Sequence, residues 1–251
     1  MAEAKESSGG FLGFLRETAI VLVGALIAST LLRLFLVQVF VIPSRSMEDT
    51  LRIGDRVAVQ KVQPYERGDV VVFRDALEWL GNPDRTRLSW WQDALTFVGL
   101  LPDESANHLV KRVVGLPGDH VTCCDSLGRL SVNGVAVDEA GYLYADAATG
   151  ESVKPSDFPF DVVVPAGRLF VMGDHRDNSA DSRCHLDEAV NGVEGAGAFV
   201  PTDAVVGTTV AVLFPFDRWQ GFSTPDSFDV VPPSEADPPA APVIRGPRVP
   251  C

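Results

Sequence analysis

The chain has 251 residues, 46% of them hydrophobic, and its formal net charge is -13 at pH 7. This length suits one large β domain or two small domains together with an anchor. The acidic charge argues against nucleic acid as a partner, because phosphate binding needs a clustered positive surface. It also predicts weak attraction to anionic lipid, so attachment to a membrane would have to be hydrophobic rather than polybasic.

The N-terminal part of the chain is a short polar stretch followed by a long apolar run. No charged residue occurs from Thr18 to Leu32, and Leu34–Ile42 is apolar except for Gln38. A run of this length is typical of a membrane-spanning helix. We predict a disordered cytoplasmic tail over residues 1–17 and a single retained anchor over 18–42, since no small-residue cleavage pattern follows. A buried core helix is the alternative, and basic residues on both sides leave the orientation open.

Beyond the anchor, short Val-rich segments alternate with turn signals such as Asn133-Gly134. This pattern predicts a mostly β fold, an antiparallel β-sheet or barrel over residues 43–220, with a smaller β subdomain at about 120–165. The predicted strands are Arg56–Val62, Asp69–Phe73, Leu109–Val114, His120–Cys123, Leu130–Val132, Val135–Val137, Val162–Val164, Leu169–Met172 and Val205–Leu213.

Two stretches interrupt or follow this β pattern. Residues 76–106 form an inserted segment that is rich in tryptophan and predicts either a helix in the membrane interface or a cover for the β domain. Its large aromatic residues are Trp79, Trp90, Trp91 and Phe97. Residues 221–251 carry Pro, Asp, Ser and Ala with little aliphatic content, which predicts a disordered tail.

The four cysteines are Cys123, Cys124, Cys184 and Cys251, and none falls in a CxxC frame. Adjacent residues rarely both reach one tetrahedral ion, so we expect no metal site here. A disulfide from Cys184 to Cys123 or to Cys124 and buried free thiols both remain open.

Several polar motifs follow the apolar run in a fixed order. They are PSRSMEDTL at Pro43–Leu51, the pair Gly54-Asp55, RGDVVVF at Arg67–Phe73, KRVVGLPGD at Lys111–Asp119, and GDHRDNSADSR at Gly173–Arg183. In this order behind an N-terminal span, they resemble the bacterial type I signal peptidases, which are Ser-Lys proteases. The resemblance implies a membrane-bound serine endopeptidase, without cofactor or metal, that removes signal peptides from exported preproteins after small residues through an acyl-enzyme. It also implies a monomer whose partners are these signal peptides and membrane lipid. The β domain would be catalytic and would lie on the extracytoplasmic face of a bacterial plasma membrane.

The resemblance also implies roles for single residues. Ser46 matches the nucleophile and Lys111 the general base. Ser44 matches the hydroxyl that stabilises the oxyanion, and Ser179 the hydroxyl that orients the lysine. The supporting positions are Asp174, Asp181 and Arg183, and the positions that line shallow substrate pockets are Phe40, Ile42, Pro43, Met47, Leu51 and Val110.

Elementary chemistry asks for one unusual property at this site. A serine hydroxyl is a weak nucleophile until a base takes its proton, and an ordinary lysine is almost fully protonated at pH 7. Lys111 must therefore have a lowered pKa, which the apolar residues around it favour. Arg45 stands between the two serines where the resembled family has glycine, and Asp49 stands where it has proline. We expect the cation of Arg45 to help lower the pKa of Lys111.

Two alternatives stay open. One is a self-cleaving Ser-Lys regulator, which would not need the apolar span, and the other is a membrane-tethered β domain without catalysis. A Ser-His-Asp triad is not predicted, because no G-x-S-x-G motif occurs. The histidines, His108, His120, His175 and His185, are interpreted as surface or loop residues.

Overall fold

The structure is a computed structural model and describes residues 8–81 and 107–248. Its first element is helix α1, Ser8–Phe35. Within it, Gly13–Leu32 is long and apolar enough to cross a membrane, by length and composition. Large side chains such as Val21 and Leu22 are 68% and 64% exposed, so the helix is not a buried core helix.

The predicted bounds of the tail and of the anchor are wrong. The helix already begins at Ser8, inside the stretch expected to be disordered, and it ends at Phe35 rather than at residue 42. Residues Val37–Val41 form strand β1 instead. Apolar character alone does not distinguish a helix from a strand, whereas the alternating β-branched residues of Val37–Val41 favour a strand.

The fold is mostly β, as the sequence predicts, and every strand pair joins two antiparallel strands. The strands are β1 Val37–Val41, β2 Arg56–Gln60, β3 Val70–Arg74, β4 His108–Gly115, β5 His120–Cys123, β6 Ser131–Val132, β7 Val135–Ala136, β8 Phe160–Val163, β9 Arg168–Met172, β10 Val200–Pro201, β11 Val205–Phe214, β12 Gln220–Gly221 and β13 Val243–Ile244.

The strands form two sheets. The first has the order β1-β2-β11-β3-β4-β9-β10, with β12 paired to β11, and the second has the order β13-β8-β5-β6-β7. Strand β4 lies inside the first sheet, between β3 and β9, so its side chains can be buried. The apolar residues Val71 and Val113 on β3 and β4 are fully buried in this sheet.

The C-terminal segment is packed on the β domain, so the prediction of a disordered tail is wrong for residues 221–248. Strand β13 pairs with β8, and Phe228 and Val231 are buried in the core shared with the second sheet. Ser234 Oγ donates to the carbonyl oxygen of Gly118 at 2.8 Å. The amide of Asn133 donates to the carbonyl oxygen of Pro232 at 2.9 Å.

The inserted segment is described only as far as residue 81. There Trp79 stacks on His185 with ring centroids 4.5 Å apart, and its Nε1 donates to the carbonyl oxygen of Gly197 at 2.9 Å. At Trp79 the segment thus covers the β domain. The prediction for Trp90, Trp91 and Phe97 falls outside the described residues.

The cysteines pair differently from both expectations. Cys123 and Cys124 are joined to each other by a disulfide, and Cys184 also takes part in a disulfide. A bond from Cys184 to Cys123 or Cys124 is therefore wrong, and so are free thiols at these positions. Cys251 lies outside the described residues.

Candidate active site

Two motifs that lie 65 residues apart in the sequence meet at one hydrogen bond. Ser46 follows strand β1 in a turn, and Lys111 lies on β4. Lys111 Nζ is 2.5 Å from Ser46 Oγ. Both residues are buried, with 3% of Lys111 and 7% of Ser46 exposed. A buried amine in contact with a serine hydroxyl is the arrangement that a serine nucleophile and its base require.

Burial changes the acid–base properties of Lys111. Loss of hydration lowers the pKa of its ammonium from 10.5 to about 8, the Arg183 guanidinium adds to this effect, and Asp181 and Asp174 oppose it. At pH 7 a pKa of about 8 leaves about one lysine in ten neutral, against roughly one in three thousand for a pKa of 10.5. The lysine can therefore accept a proton at neutral pH.

Arg45 does not play the electrostatic role expected from the sequence. Its side chain is 65% exposed, and its Nε lies 4.0 Å from a carboxylate oxygen of Glu48. The cation that lowers the pKa of Lys111 is Arg183.

Ser44 stands beside the nucleophile. Its Oγ is 3.3 Å from Ser46 Oγ. Within residues 8–81 and 107–248, no backbone carbonyl oxygen accepts from the backbone N–H of Ser46. A hydroxyl and a backbone N–H next to the attacking oxygen are the donor types that bind the oxyanion of acyl transfer.

The buried carboxylate of Asp181 lies near the base, Lys111, and influences its pKa. Asp181 accepts hydrogen bonds from Ser179 Oγ at 2.8 Å and from the guanidinium of Arg183 at 2.9 Å. Burial raises the pKa of Asp181, but Arg183 outweighs this and brings it to about 2, so the carboxylate stays charged. The backbone N–H of Gly173 donates to the same carboxylate. Orientation of Lys111 by Ser179 stays a prediction, since this hydroxyl donates to Asp181.

Gly173 is required at this site for a steric reason. A side chain at this position would overlap the carbonyl oxygen of Ser46 and the hydroxyl of Ser179. The glycine thus allows the segment with Ser46 to lie against the segment with Ser179.

Asp174 is held by residues that sequence reasoning did not place in the site. The guanidinium of Arg112 donates to its carboxylate at 2.8 and 2.6 Å, and Thr50 Oγ1 donates at 2.6 Å. Arg112 adjoins Lys111 in its motif, and Thr50 lies in the motif of Ser46. Their position inside the motifs indicated that these two residues matter to the site. Their contacts with Asp174 could not be predicted, because they join residues that lie far apart in the sequence.

The residues predicted to line substrate pockets mostly come together. Phe40, Ile42, Met47 and Leu51 belong to one buried apolar cluster, and Val110 packs against it. None of the four is more than 3% exposed. Pro43 is exposed and is not part of the cluster. Their contact with substrate stays a prediction.

The histidines are only in part surface residues. His175 and His185 are buried, each 8% exposed; His175 lies in a loop, as interpreted, whereas His185 lies in a short 3-10 helix and is neither a surface nor a loop residue. Among the described residues, the hydrogen bonds of Ser46 Oγ join it to Lys111 and Ser44 and not to a histidine. The same residues include no group of three or more His, Cys, Asp or Glu side chains that could hold a metal ion.

Comparisons with known proteins show which family this chain is similar to. A family model described as signal peptidase, peptidase S26, matches residues 15–214. Signal peptidase I of Mycobacterium tuberculosis (strain ATCC 25618 / H37Rv) is 36% identical over 230 residues, which cover 82% of this chain and 74% of that protein. Signal peptidase I of Bacillus licheniformis is 32% identical over 201 residues, 77% of this chain and 86% of that protein. The crystal structure of a signal peptidase I from Enterococcus faecalis V583 matches 59% of this chain and 97% of that chain, with 21% identity and a TM-score of 0.35.

Proposed function

Since the chain belongs to the signal peptidase family of S26 serine endopeptidases, we propose that Ser46 and Lys111 cleave signal peptides from exported preproteins. The observation that carries this proposal is the 2.5 Å contact between Lys111 Nζ and Ser46 Oγ. It is supported by a lysine pKa lowered to about 8, without which the amine could not serve as a base.

The reaction begins when neutral Lys111 takes the proton of Ser46 Oγ while this oxygen attacks the scissile carbonyl carbon. The hydroxyl of Ser44 and the N–H of Ser46 donate to the oxyanion that forms. The ammonium of Lys111 then gives its proton to the leaving amine, and the acyl group remains as an ester on Ser46. Neutral Lys111 next takes a proton from a water molecule, whose oxygen attacks the ester carbonyl carbon. The ammonium of Lys111 then returns this proton to Ser46 Oγ as the ester C–O bond breaks, so the signal peptide leaves with a free carboxyl group and the enzyme is restored.

Small residues before the cut are the substrates that this site favours. The apolar cluster that includes Phe40, Ile42, Met47 and Leu51 is buried, and Met47 and Leu51 belong to the segment that carries Ser46. A filled cluster leaves shallow pockets, in which a bulky side chain would clash instead of merely losing contacts.

Attachment to a membrane is supported by two features. One is the apolar stretch Gly13–Leu32 of α1. The other is an exposed aromatic patch between β11 and β12, where Phe216 is 77% and Trp219 is 72% exposed. Such residues favour the membrane–water interface. Arg218 lies within this patch and binds Asp55, whose carbonyl oxygen accepts from the N–H of Ile42, next to the nucleophile segment.

We place the catalytic domain at the extracytoplasmic face of a bacterial plasma membrane, with α1 as its single anchor. This location rests on membership of the family and on the substrate. The apolar segment of a signal peptide lies in the same bilayer as the anchor of the enzyme. Anchoring therefore holds the active site at the level of the membrane surface where the cleavage site of the preprotein lies.

Cleavage of a preprotein by the full chain in detergent tests the proposal. We expect Ser46→Ala and Lys111→Ala to abolish cleavage. The matched controls are Ser223→Ala and Lys154→Ala, which change an exposed serine and an exposed lysine and should leave it intact. Cleavage that survives either of the first two changes overturns the mechanism, and a wild-type chain that never cleaves would mean a tethered domain without catalysis.

A further inference from the structure

A buried histidine lies beside the nucleophile, and the proposed mechanism gives its side chain no role. His175 follows Asp174 and is 8% exposed. Its backbone N–H donates to the carbonyl oxygen of Ser46 at 3.1 Å. The histidine therefore touches the nucleophile directly through the main chain.

The imidazole makes a second connection to the same segment. Its Nδ1 is buried and makes no hydrogen bond among the described residues, but it lies 3.4 Å from a carboxylate oxygen of Glu48, close enough for an ion pair when the ring is protonated. Glu48 comes two residues after Ser46. Its other nitrogen, Nε2, is 3.3 Å from Asp177, which belongs to the segment of His175 itself. The ring stacks on Tyr144 with centroids 3.8 Å apart and an interplanar angle of 20°, so its orientation is fixed.

These contacts matter because the nucleophile lies in a turn, outside the strands that hold Lys111. The contacts that tie this turn to the rest of the domain therefore help to set the distance between Ser46 and Lys111, and they include the buried side chains of Met47 and Leu51. Thr50 is tied at the far end of the segment, through Asp174. His175 contacts the residues on both sides of Met47: its backbone N–H donates to Ser46, and its ring lies against Glu48. A shift of about 1 Å at a reacting group can lower a rate by about 100-fold.

We propose that His175 is a positioning residue for Ser46, and that it acts through the contact between its imidazole and Glu48. The inference rests on the proposed role of Ser46 as the nucleophile. Groups that face the ring from the surrounding elements are Glu48, Asp177 and Tyr144. Of these, Glu48 alone lies on the segment that carries the nucleophile, Pro43–Leu51. Asp177 contacts the other ring nitrogen from outside this segment, so it provides the control.

The experiment compares kcat and KM of four variants on a preprotein in detergent. His175→Phe keeps an aromatic ring stacked on Tyr144 but removes both ring nitrogens. Glu48→Gln removes the negative charge that lies next to Nδ1 of His175. We expect each to lower kcat by about ten-fold or more, with KM changed less than two-fold, because the turn is loosened and not the substrate pocket. Asp177→Asn, the matched control on the other nitrogen, should match the wild type.

The double variant His175→Phe/Glu48→Gln separates positioning from two unrelated defects. If the two side chains act through one contact, the double variant loses no more kcat than the worse single variant. The rising limb of the pH profile should also stay in place, since burial and not the turn sets the pKa of Lys111.

Two results overturn the inference: wild-type kcat in Glu48→Gln, or single effects that multiply in the double variant. Should His175→Phe fail to fold, Glu48→Gln and Asp177→Asn alone still decide, because Glu48 is partly exposed. Failure of the proposed function looks different, because either Ser46→Ala would still cleave the preprotein or the wild type would not cleave it at all.

Discussion

Lys111 and Arg112 are neighbours on β4 and equally buried, with 3% of each exposed, but they serve two regions with opposite electrostatics. In the catalytic region, burial lowers the pKa of Lys111 to about 8. In the bracing region, which comprises Arg112, Asp174 and Thr50, burial also lowers the pKa of Arg112, but Asp174 outweighs it and raises the value. Arg112 also donates to the carbonyl oxygen of Gly68 at 2.5 Å and lies 4.1 Å from the ring centre of Tyr142.

The difference shows what a buried cation can be used for. A cation that faces a paired carboxylate keeps its proton and holds chain segments together. A lysine that faces a hydroxyl gives up its proton readily, and only such a lysine can act as a base. Arginine could not replace it, because it does not lose its proton in proteins.

The largest expected effect is a difference in the free energy of unfolding between a variant of the bracing region and a variant of the catalytic region. Arg112→Met leaves the carboxylate of Asp174 buried without its partner, so we expect the free energy of unfolding to fall by about 3–5 kcal/mol. Lys111→Met removes a cation whose burial is poorly compensated, and it should leave that free energy unchanged or raise it. Urea unfolding of both variants in detergent at pH 7 measures the difference. Equal losses in the two variants would show that the regions do not differ.

The next effect lies within the catalytic region and concerns turnover. Ser44→Ala removes one donor from the site of the oxyanion, so kcat should fall by about 100-fold to 1000-fold, or about 3–4 kcal/mol, with KM nearly unchanged. Ser44→Thr keeps the hydroxyl and serves as the control. A loss smaller than a few-fold would mean that Ser44 is not an oxyanion donor.

The pH dependence of turnover tests the lowered pKa directly. Lys111 acts only when neutral, and the pH profile of kcat/KM reports the pKa of the free enzyme, so kcat/KM should rise about ten-fold per pH unit below pH 8 and level off above it, as the amine with a pKa of about 8 loses its proton. Asp181, with a pKa of about 2, stays charged throughout and does not contribute. Arg183→Gln should move the rise to higher pH, because it removes a cation that lowers the pKa of Lys111. A rise centred near 10.5, the ordinary value for lysine, would contradict the structure.

The sequence predicts five strands of the first sheet, namely β2, β3, β4, β9 and β11, because their signals are local, but it misses β1, β10 and β12. Strands such as Leu109–Val114 are short Val-rich runs between turn signals, and the structure extends that strand only to His108–Gly115. The motifs also name Ser46 and Lys111 without showing their distance, which the pairing of β3 with β4 helps to set. What stayed hidden were partners distant in sequence, such as Thr50 and Arg112 for Asp174.

The predictions from the sequence are wrong at strand β1 and in the C-terminal segment, where a few residues determine the structure. Val37–Val41 continues an apolar run, and its β-branched residues favour a strand that pairing with β2 then stabilises. The C-terminal segment is rich in proline and acidic residues, so its average composition predicts disorder. Its order depends on a few buried side chains, Phe228 and Val231 among them, and on hydrogen bonds to distant loops. The average composition of the segment does not show these individual buried side chains and hydrogen bonds.

The smallest expected effect extends the comparison to this C-terminal segment, which should contribute to stability and not to chemistry. Ser234 Oγ donates to the carbonyl oxygen of Gly118, in the loop that follows β4. Ser234→Ala should therefore lower the free energy of unfolding by about 1 kcal/mol, the usual contribution of one such bond, and leave kcat and its pH profile unchanged. Ser223→Ala, at an exposed serine of the same segment, is the control and should change stability by less than about 0.5 kcal/mol. A fall of kcat in Ser234→Ala without a matching loss of stability would show that this segment acts on the catalytic region, because bracing alone cannot change turnover in a protein that remains folded.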